Sequence, residues 1–308
     1  MKILVTGGAG YIGTELVGAL AQQDAVSEVV VYDNLSRRNY NLFLAERLTP
    51  GKIRFVRGDI LDTRRLRKVL DGVDVVFHLA ALVTTPFHDA DVHHVDQVNH
   101  WGTAELSYAL EERPVRRLIY LSSAAVYGAS DTPATVEHAP RPAGVYGESK
   151  LHGERKLARL ADDLDLTVLR CANVYGYSRS LRFDAVINRF LFEAHYGHRI
   201  TIHGSGRQHR AFVHIDDVVS ALVPLALGRG GRGTFNLVER NLAINDIAAA
   251  LRQLYPDLET QHVDQDHEPR SLQVEPDPAV RAWAGLREHD LLERLTVFRE
   301  RFAFQPAG

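Results

Sequence analysis

Residues Lys2-Ile3-Leu4-Val5-Thr6-Gly7-Gly8-Ala9-Gly10-Tyr11-Ile12-Gly13 put a short apolar run directly in front of a glycine-rich turn. The run has the length and β-branched content of a buried parallel strand. Past the turn, Leu16, Val17 and Leu20 recur at helical spacing. Glycines at 7, 10 and 13 permit a tight turn, close approach of backbone to a pyrophosphate, and close packing of helix on strand. The phosphates then sit at the helix N-terminus. Such a triplet has weight only between a strand and a helix, and that context is present. Glu28-Val29-Val30-Val31-Tyr32 reads as a second strand ending at Asp33, about 20 residues past Gly13. A carboxylate there accepts both hydroxyls of a ribose and repels a 2′-phosphate, which favours NAD over NADP.

Working outward, Lys52–Val56, Val73–His78, Arg117–Leu121 and Leu166–Arg170 are further strand-like runs, separated by helical patterns. That alternation predicts an α/β, Rossmann-like doubly wound parallel sheet. Ligands of such sheets bind beyond the strand C-terminal ends. Ser123, Tyr146 and the Cys171-Ala172-Asn173 run all fall on that edge. Tyr146 and Lys150 are one helical turn apart and share a face. A lysine ammonium beside a phenol favours the phenolate and lowers its pKa, which makes a general base usable near neutral pH. After Arg170 the regularity weakens. The expected division is an NAD-binding Rossmann domain over 1–170, with a return of about 211–240, and a smaller substrate-binding α/β domain over 171–308. Asn245 reads as a helix N-cap.

The chain has 308 residues, 45% of them hydrophobic, ample for a large core. Its net charge of −3 implies no basic face, so nucleic acid is not an expected partner. One cysteine, Cys171, excludes an internal disulfide and fits a reducing compartment. The N-terminus lacks a signal peptide, and no window approaches the length of a membrane span. The expectation is a cytoplasmic protein with no membrane partner.

Nine motifs in order resemble the extended short-chain dehydrogenase/reductase family, in its NAD-dependent nucleotide-sugar epimerase/dehydratase branch, of the UDP-glucose 4-epimerase type. They are T-G-G-A-G-Y-I-G at 6–13, D-N-L-S at 33–36, G-D-I at 58–60, H-L-A-A at 78–81, N-x-x-G-T at 99–103, S-S-x-x-V-Y-G at 122–128, Y-x-x-x-K at 146–150, N-V-Y-G at 173–176 and R-x-F-V-H-I-D-D at 210–217. The resemblance implies that Gly7, Gly10, Tyr11, Ile12, Asp33, Asn34, Asp59, Ile60, Leu79, Ala80, Ala81, Asn99, Ser122, Tyr146, Lys150 and Ala172 line or border NAD. It implies Ser123 as the hydrogen-bond partner of the reacting sugar hydroxyl, Tyr146 as the base and Lys150 on the nicotinamide ribose. Thr84, Ser123, Tyr146, Asn173, Arg182, Asn188, Arg210 and Arg270 would meet a nucleotide-diphosphate sugar. A guanidinium suits the phosphates. Relatives are commonly homodimers, and a homodimer is expected here.

Two departures narrow this. Dehydratases of the branch place Asp-Glu after the serine or threonine to eliminate water. Here those positions are Ala124 and Ala125, which transfer no proton. Hydride chemistry on a sugar alcohol survives, with 4-epimerisation through a keto-sugar as the leading expectation. The alternative is an NAD-dependent dehydrogenase or ketoreductase on a nucleotide sugar or other small alcohol. The second departure is His88, His93, His94 and His100 within the stretch from Thr84 to His100. No firm metal-binding helical pair accompanies them, so no metal is expected and they read as solvated loop histidines. His78 reads as a packed, hydrogen-bonded residue, and Cys171 as buried and inert.

Overall fold

The computed structural model describes residues 1–44, 51–83, 91–264 and 270–304. In chain order the strands are β1 (Lys2–Thr6), β2 (Glu28–Asp33), β3 (Ile53–Arg57), β4 (Val75–His78), β5 (Arg117–Ser123), β6 (Ser130–Ala134), β7 (Asp165–Cys171), β8 (Asn173–Tyr175), β9 (Arg199–His203), β10 (His209–His214), β11 (Gly233–Leu237), β12 (Arg240–Ala243), β13 (Glu259–Val263) and β14 (Leu272–Val274). The α-helices are α1 (Tyr11–Ala21), α2 (Asn41–Leu44), α3 (Thr63–Val69), α4 (Val92–Asp96), α5 (Gly102–Glu112), α6 (Val145–Leu157), α7 (Val186–Gly197), α8 (Ile215–Ala226), α9 (Ile244–Leu254), α10 (Pro278–Ala284) and α11 (Leu291–Arg299).

A seven-stranded sheet runs in the order β11-β7-β5-β4-β1-β2-β3, and every pair in it is parallel. This is the doubly wound α/β fold, whose crevice opens where the strand order reverses between β1 and β4. Its strands are apolar on both faces because helices cover both. Side chains alternate across the sheet, so Ile3 and Val5 join one core with Leu16 and Val17 of α1, while Leu4 joins another with Leu106 of α5.

A second sheet has the order β12-β10-β14-β6, with β8 paired to β10. One of its strands, β6, comes from the N-terminal half of the chain, and β11 returns from the C-terminal half to the large sheet. Phe190, Ile202, Phe212, Ile247 and Phe298 are among the side chains of a third core in the C-terminal half.

Asn245 is not the N-cap of its helix. The helix begins at Ile244, Ala243 occupies the cap, and Asp246 accepts the Ala243 N–H at 2.9 Å. Asn245 instead donates to the Ser205 carbonyl at 3.1 Å and ties the helix to the preceding turn.

Candidate active site

A cleft of about 910 Å³ lies along the C-terminal ends of the large sheet's strands. Its floor is the glycine turn between β1 and α1. Gly7 has φ +71°, and a Cβ at Gly13 would sit 2.3 Å from the Gly7 carbonyl oxygen and 2.6 Å from Gly8 Cα, inside atomic contact. Only glycine lets strand and helix meet this closely. Gly10 caps α1 without a side chain, and the helix's first turn carries no acid. The positive end of the helix dipole is therefore left for an incoming anion.

Asp33 ends β2 and lines the cleft beside this turn. Its carboxylate accepts the Leu35 N–H at 2.8 Å and the Ala9 N–H at 3.1 Å. Burial nevertheless raises its pKa, against those two hydrogen bonds. Asn34 also lines the cleft and donates to Asp59 Oδ2 at 2.9 Å. Asp59 itself is behind that contact rather than on the wall. Tyr11 lines the cleft, and its hydroxyl donates to the Gly176 carbonyl at 2.6 Å, locking α1 to the 176–182 loop. Ile12, Ile60, Leu79, Ala80, Ala81, Ser122 and Ala172 complete the cofactor-side wall.

His78 sits beneath, fully buried between Thr6 and Thr103 at 2.8 Å each, as expected of a packed residue. Burial pushes it down to about 3, so it is neutral. Asn99 does not line the cleft. Its amide holds the Leu82 N–H at 2.7 Å and the Leu82 carbonyl at 2.9 Å, and donates to Ser149 Oγ at 3.1 Å. It fixes the cleft edge after β4 and couples it to α6.

Ser123, Tyr146 and Lys150 meet on the opposite wall. α6 can approach the serine turn because Gly147 has no side chain: a Cβ there would lie 2.5 Å from the Ala125 carbonyl oxygen. Ser123 Oγ accepts the Ala125 N–H at 3.2 Å and lines the cleft together with Tyr146. Beneath them, Ser122 donates to Glu154 at 2.5 Å, and Glu154 takes a forked pair of hydrogen bonds from buried Arg170 at 3.2 and 2.8 Å. This network anchors the end of β5 to α6.

One expectation fails. The Tyr146 pKa is raised, because burial outweighs the lowering effect of the neighbouring Ser123 hydroxyl and the positive charges of Arg182 and Arg37. Arg182 and Arg37, rather than Lys150, are the positive charges that most lower the phenol's pKa. The Lys150 ammonium donates to the Leu121 carbonyl at 2.8 Å and lies 4.9 Å over the Tyr120 ring, and burial brings its own pKa down to about 8.

The remaining wall comes from the C-terminal half. Asn173 is exposed into the cleft and donates to the Ala211 carbonyl at 3.0 Å. Arg210 lines it too, with Nη1 donating to the carbonyls of His209 and Arg270. Arg182 lines it while paired to Asp184 at 2.9 Å. Asn188 is fully buried behind the wall, bridging Gly176 N–H, the Tyr11 hydroxyl and the Arg182 carbonyl. The Arg270 side chain is exposed and not on the wall; its contribution is the carbonyl that holds Arg210. Thr84 and His88 lie outside the described residues. Arg37, Arg189 and Gln208 also line the cleft and carried no motif signal in the sequence.

A model of the NAD dependent epimerase/dehydratase family matches residues 3–237. The chain belongs to that family. It is 35% identical to UDP-glucose 4-epimerase of Mycolicibacterium smegmatis over 77% of each chain. It is 32% identical to dTDP-glucose 4,6-dehydratase of Streptomyces niveus over 74% of this chain and 69% of the other. UDP-glucuronic acid 4-epimerase from Bacillus cereus, solved with UDP-glucuronic acid and NAD, superimposes with a TM-score of 0.84 at 26% identity, covering 97% of this chain and 98% of that one. NAD is the cofactor of this family, and the residues here fit it. A glycine cradle at Gly7, Gly10 and Gly13 and a helix end without a side-chain cap suit the pyrophosphate, and an acid at Asp33 suits the adenosine ribose.

Proposed function

We propose that this family member is a nucleotide-sugar epimerase, inverting carbon 4 of a hexose through a transient keto-sugar. The observation that carries this reading is at the serine turn. Ala124 and Ala125 both line the cleft next to Ser123, and neither can give or take a proton. Water elimination needs a second acid–base pair beside the phenol. Among the described cleft-lining carboxylates, Asp33 serves the opposite end, Asp184 is held ionised by Arg182, and Asp264 pairs with His203 at 3.1 Å.

Bound NAD+ supplies the place where a hydride is left and from which it returns. Everything else falls to the chain. Ser123 and Tyr146 hold the 4-hydroxyl between them, and Tyr146 takes its proton and later restores it. Arg182 and Arg37 favour the phenolate. Lys150, fixed by the Leu121 carbonyl, keeps a positive charge at the cofactor side of that phenol. Asn173 and Arg210 hold the diphosphate while the keto-sugar turns its other face. We include in the proposal a cytoplasmic homodimer. Among the described residues no helix is long and apolar enough to cross a membrane. Trp101 and Tyr108, on neighbouring turns beside α6, are exposed and suited to a partner surface.

The test is to denature the purified protein and identify the released cofactor, then incubate intact protein with a panel of nucleotide sugars under magnetic resonance. The reading expects retained NAD and a second sugar growing to equilibrium without added cofactor. Stoichiometric NADH with a ketone product would make the chain a dehydrogenase instead. A dehydrated sugar would remove the argument from Ala124 and Ala125.

A further inference from the structure

The four-histidine stretch carries no firm metal-binding helical pair of histidines, so its sequence implies no metal. The fold adds a further histidine partner, His152, from elsewhere. His152 of α6 packs its ring against His100, centroids 4.7 Å apart, and both face Asp96. Asp96 Oδ1 lies 3.4 Å from His100 Nδ1 and 4.0 Å from His152 Nδ1. Three potential ligand atoms, one from each residue, all lie within 4.8 Å of one another, and all three residues are half-buried.

These spacings are too long for good hydrogen bonds, which close at about 2.7–3.2 Å. They approach the edge of a tetrahedron with bonds of about 2.1 Å, roughly 3.4 Å. His152 Nδ1 is moreover buried with no hydrogen-bond partner, an uncommon state for such an atom. Asp96 precedes, and His100 lies within, a π-helical turn, Gln97–Trp101, between α4 and α5. Turns of this kind recur at functional sites, where they re-aim side chains.

The geometry points to a divalent transition-metal site at Asp96, His100 and His152, suited to Zn²⁺ and its late first-row neighbours. Two imidazoles and one carboxylate are the ligand set such ions take, with the fourth position left to water. The ion would staple the turn carrying Asn99 to the helix carrying Tyr146 and Lys150, parallel to the Asn99–Ser149 hydrogen bond. The site is separate from the cleft, since none of its three residues lines it.

The experiment uses the full-length protein after chelation and dialysis, titrated with Co²⁺ and then Zn²⁺. One equivalent of Co²⁺ should produce visible ligand-field absorption and quench Trp101, whose ring is 5.2 Å from His100. Zn²⁺ should displace it and raise Tm by several degrees. Outer-shell partners alone change metal affinity by about 10–100-fold, so His152→Ala and Asp96→Asn should each weaken binding at least that much. Both variants should keep native circular dichroism and NAD content, and His93→Ala, at an exposed histidine outside the cluster, should bind like the parent. Absence of stoichiometric binding in the parent overturns the site. So does binding that survives both variants, which would place the ion on scattered surface histidines.

Discussion

The cofactor wall of the cleft and the 171–210 wall are assembled over different lengths of chain. The cofactor wall is built from short contiguous runs, each fixed by its own strand end: Gly7 to Gly13 after β1, Asp33 closing β2, Leu79 to Ala81 after β4. Its chemistry is largely backbone, and a backbone cradle tolerates little change. The other wall gathers Asn173, Arg182, Arg189, Gln208 and Arg210 from a short strand, two loops, a helix and an interior strand of the second sheet. Its chemistry is side chain, held by carbonyl contacts such as those of Arg270 and Ala211. A family can thus keep one wall and retune the other, which is how epimerases and dehydratases come to share a fold.

The largest expected effect lies where the walls meet. Tyr146→Phe removes the phenol proposed as the base and should lower kcat by about 10²–10⁴-fold, the usual worth of a positioned acid–base group. NAD content should not change, because the cofactor wall is untouched. Loss of NAD in this variant would mean the two walls are not separable. Gly13→Ala attacks the cofactor wall alone. Its Cβ would overlap the Gly7 carbonyl and Gly8 backbone, neither of which can yield. The expected result is protein purified without NAD and destabilised by about 1–3 kcal/mol or more, read by Tm and released cofactor.

Lys150 tests the join in a different way. Its buried ammonium has a pKa of about 8 against an ordinary 10.5. Between those values the unfolded chain keeps a proton that the folded chain has released. Stability of the NAD-free protein should therefore rise as pH climbs from about 8 to 10.5 and be insensitive to this group below pH 8. The rise is at most about 3 kcal/mol. Lys150→Met should flatten it, as read from Tm against pH.

On the substrate wall, Arg210→Ala should raise KM for the nucleotide sugar about tenfold or more, with kcat changed less, since a phosphate contact is made before and during the reaction. An equal fall in kcat would instead place Arg210 at the reacting sugar.

The same contrast explains what could be read from sequence. The glycine turn, Asp33, Ser123, Tyr146 and Lys150 were legible because each motif is local and its spacing is imposed by one strand or one helical turn. The route of β6 into the second sheet was not, because pairing between β6 and β14 joins residues far apart along the chain. Asn99 was identifiable, but its inward amide, serving Leu82 and Ser149 rather than the cleft, follows from packing. The sign of the Tyr146 shift was missed for the same reason. A pair of residues four apart fixes proximity, while burial and the Leu121 carbonyl decide where the charge goes. Asn245 as a cap is a local inference overruled by the helix start at Ile244, which puts Ala243 in the cap position with its N–H held by Asp246.

The smallest expected effect concerns cofactor choice. Asp33 holds two backbone N–H groups, on Ala9 and Leu35, so replacing it by alanine would loosen the turn and confuse charge with support. Asp33→Asn removes the charge and keeps an acceptor for one of the two N–H groups, so it disturbs the turn less than alanine does. NAD affinity should fall by about tenfold, one lost charge-assisted hydrogen bond, while NADP affinity rises because its 2′-phosphate no longer meets a carboxylate. Binding of the two cofactors to stripped protein measures both numbers in one variant. If both affinities fall together, Asp33 is a turn support like Asn99, and discrimination belongs to Arg37 and its neighbours. If NAD falls while NADP gains, the carboxylate itself reads the ribose, and the cofactor wall's selectivity resides in a single side chain set on a backbone cradle.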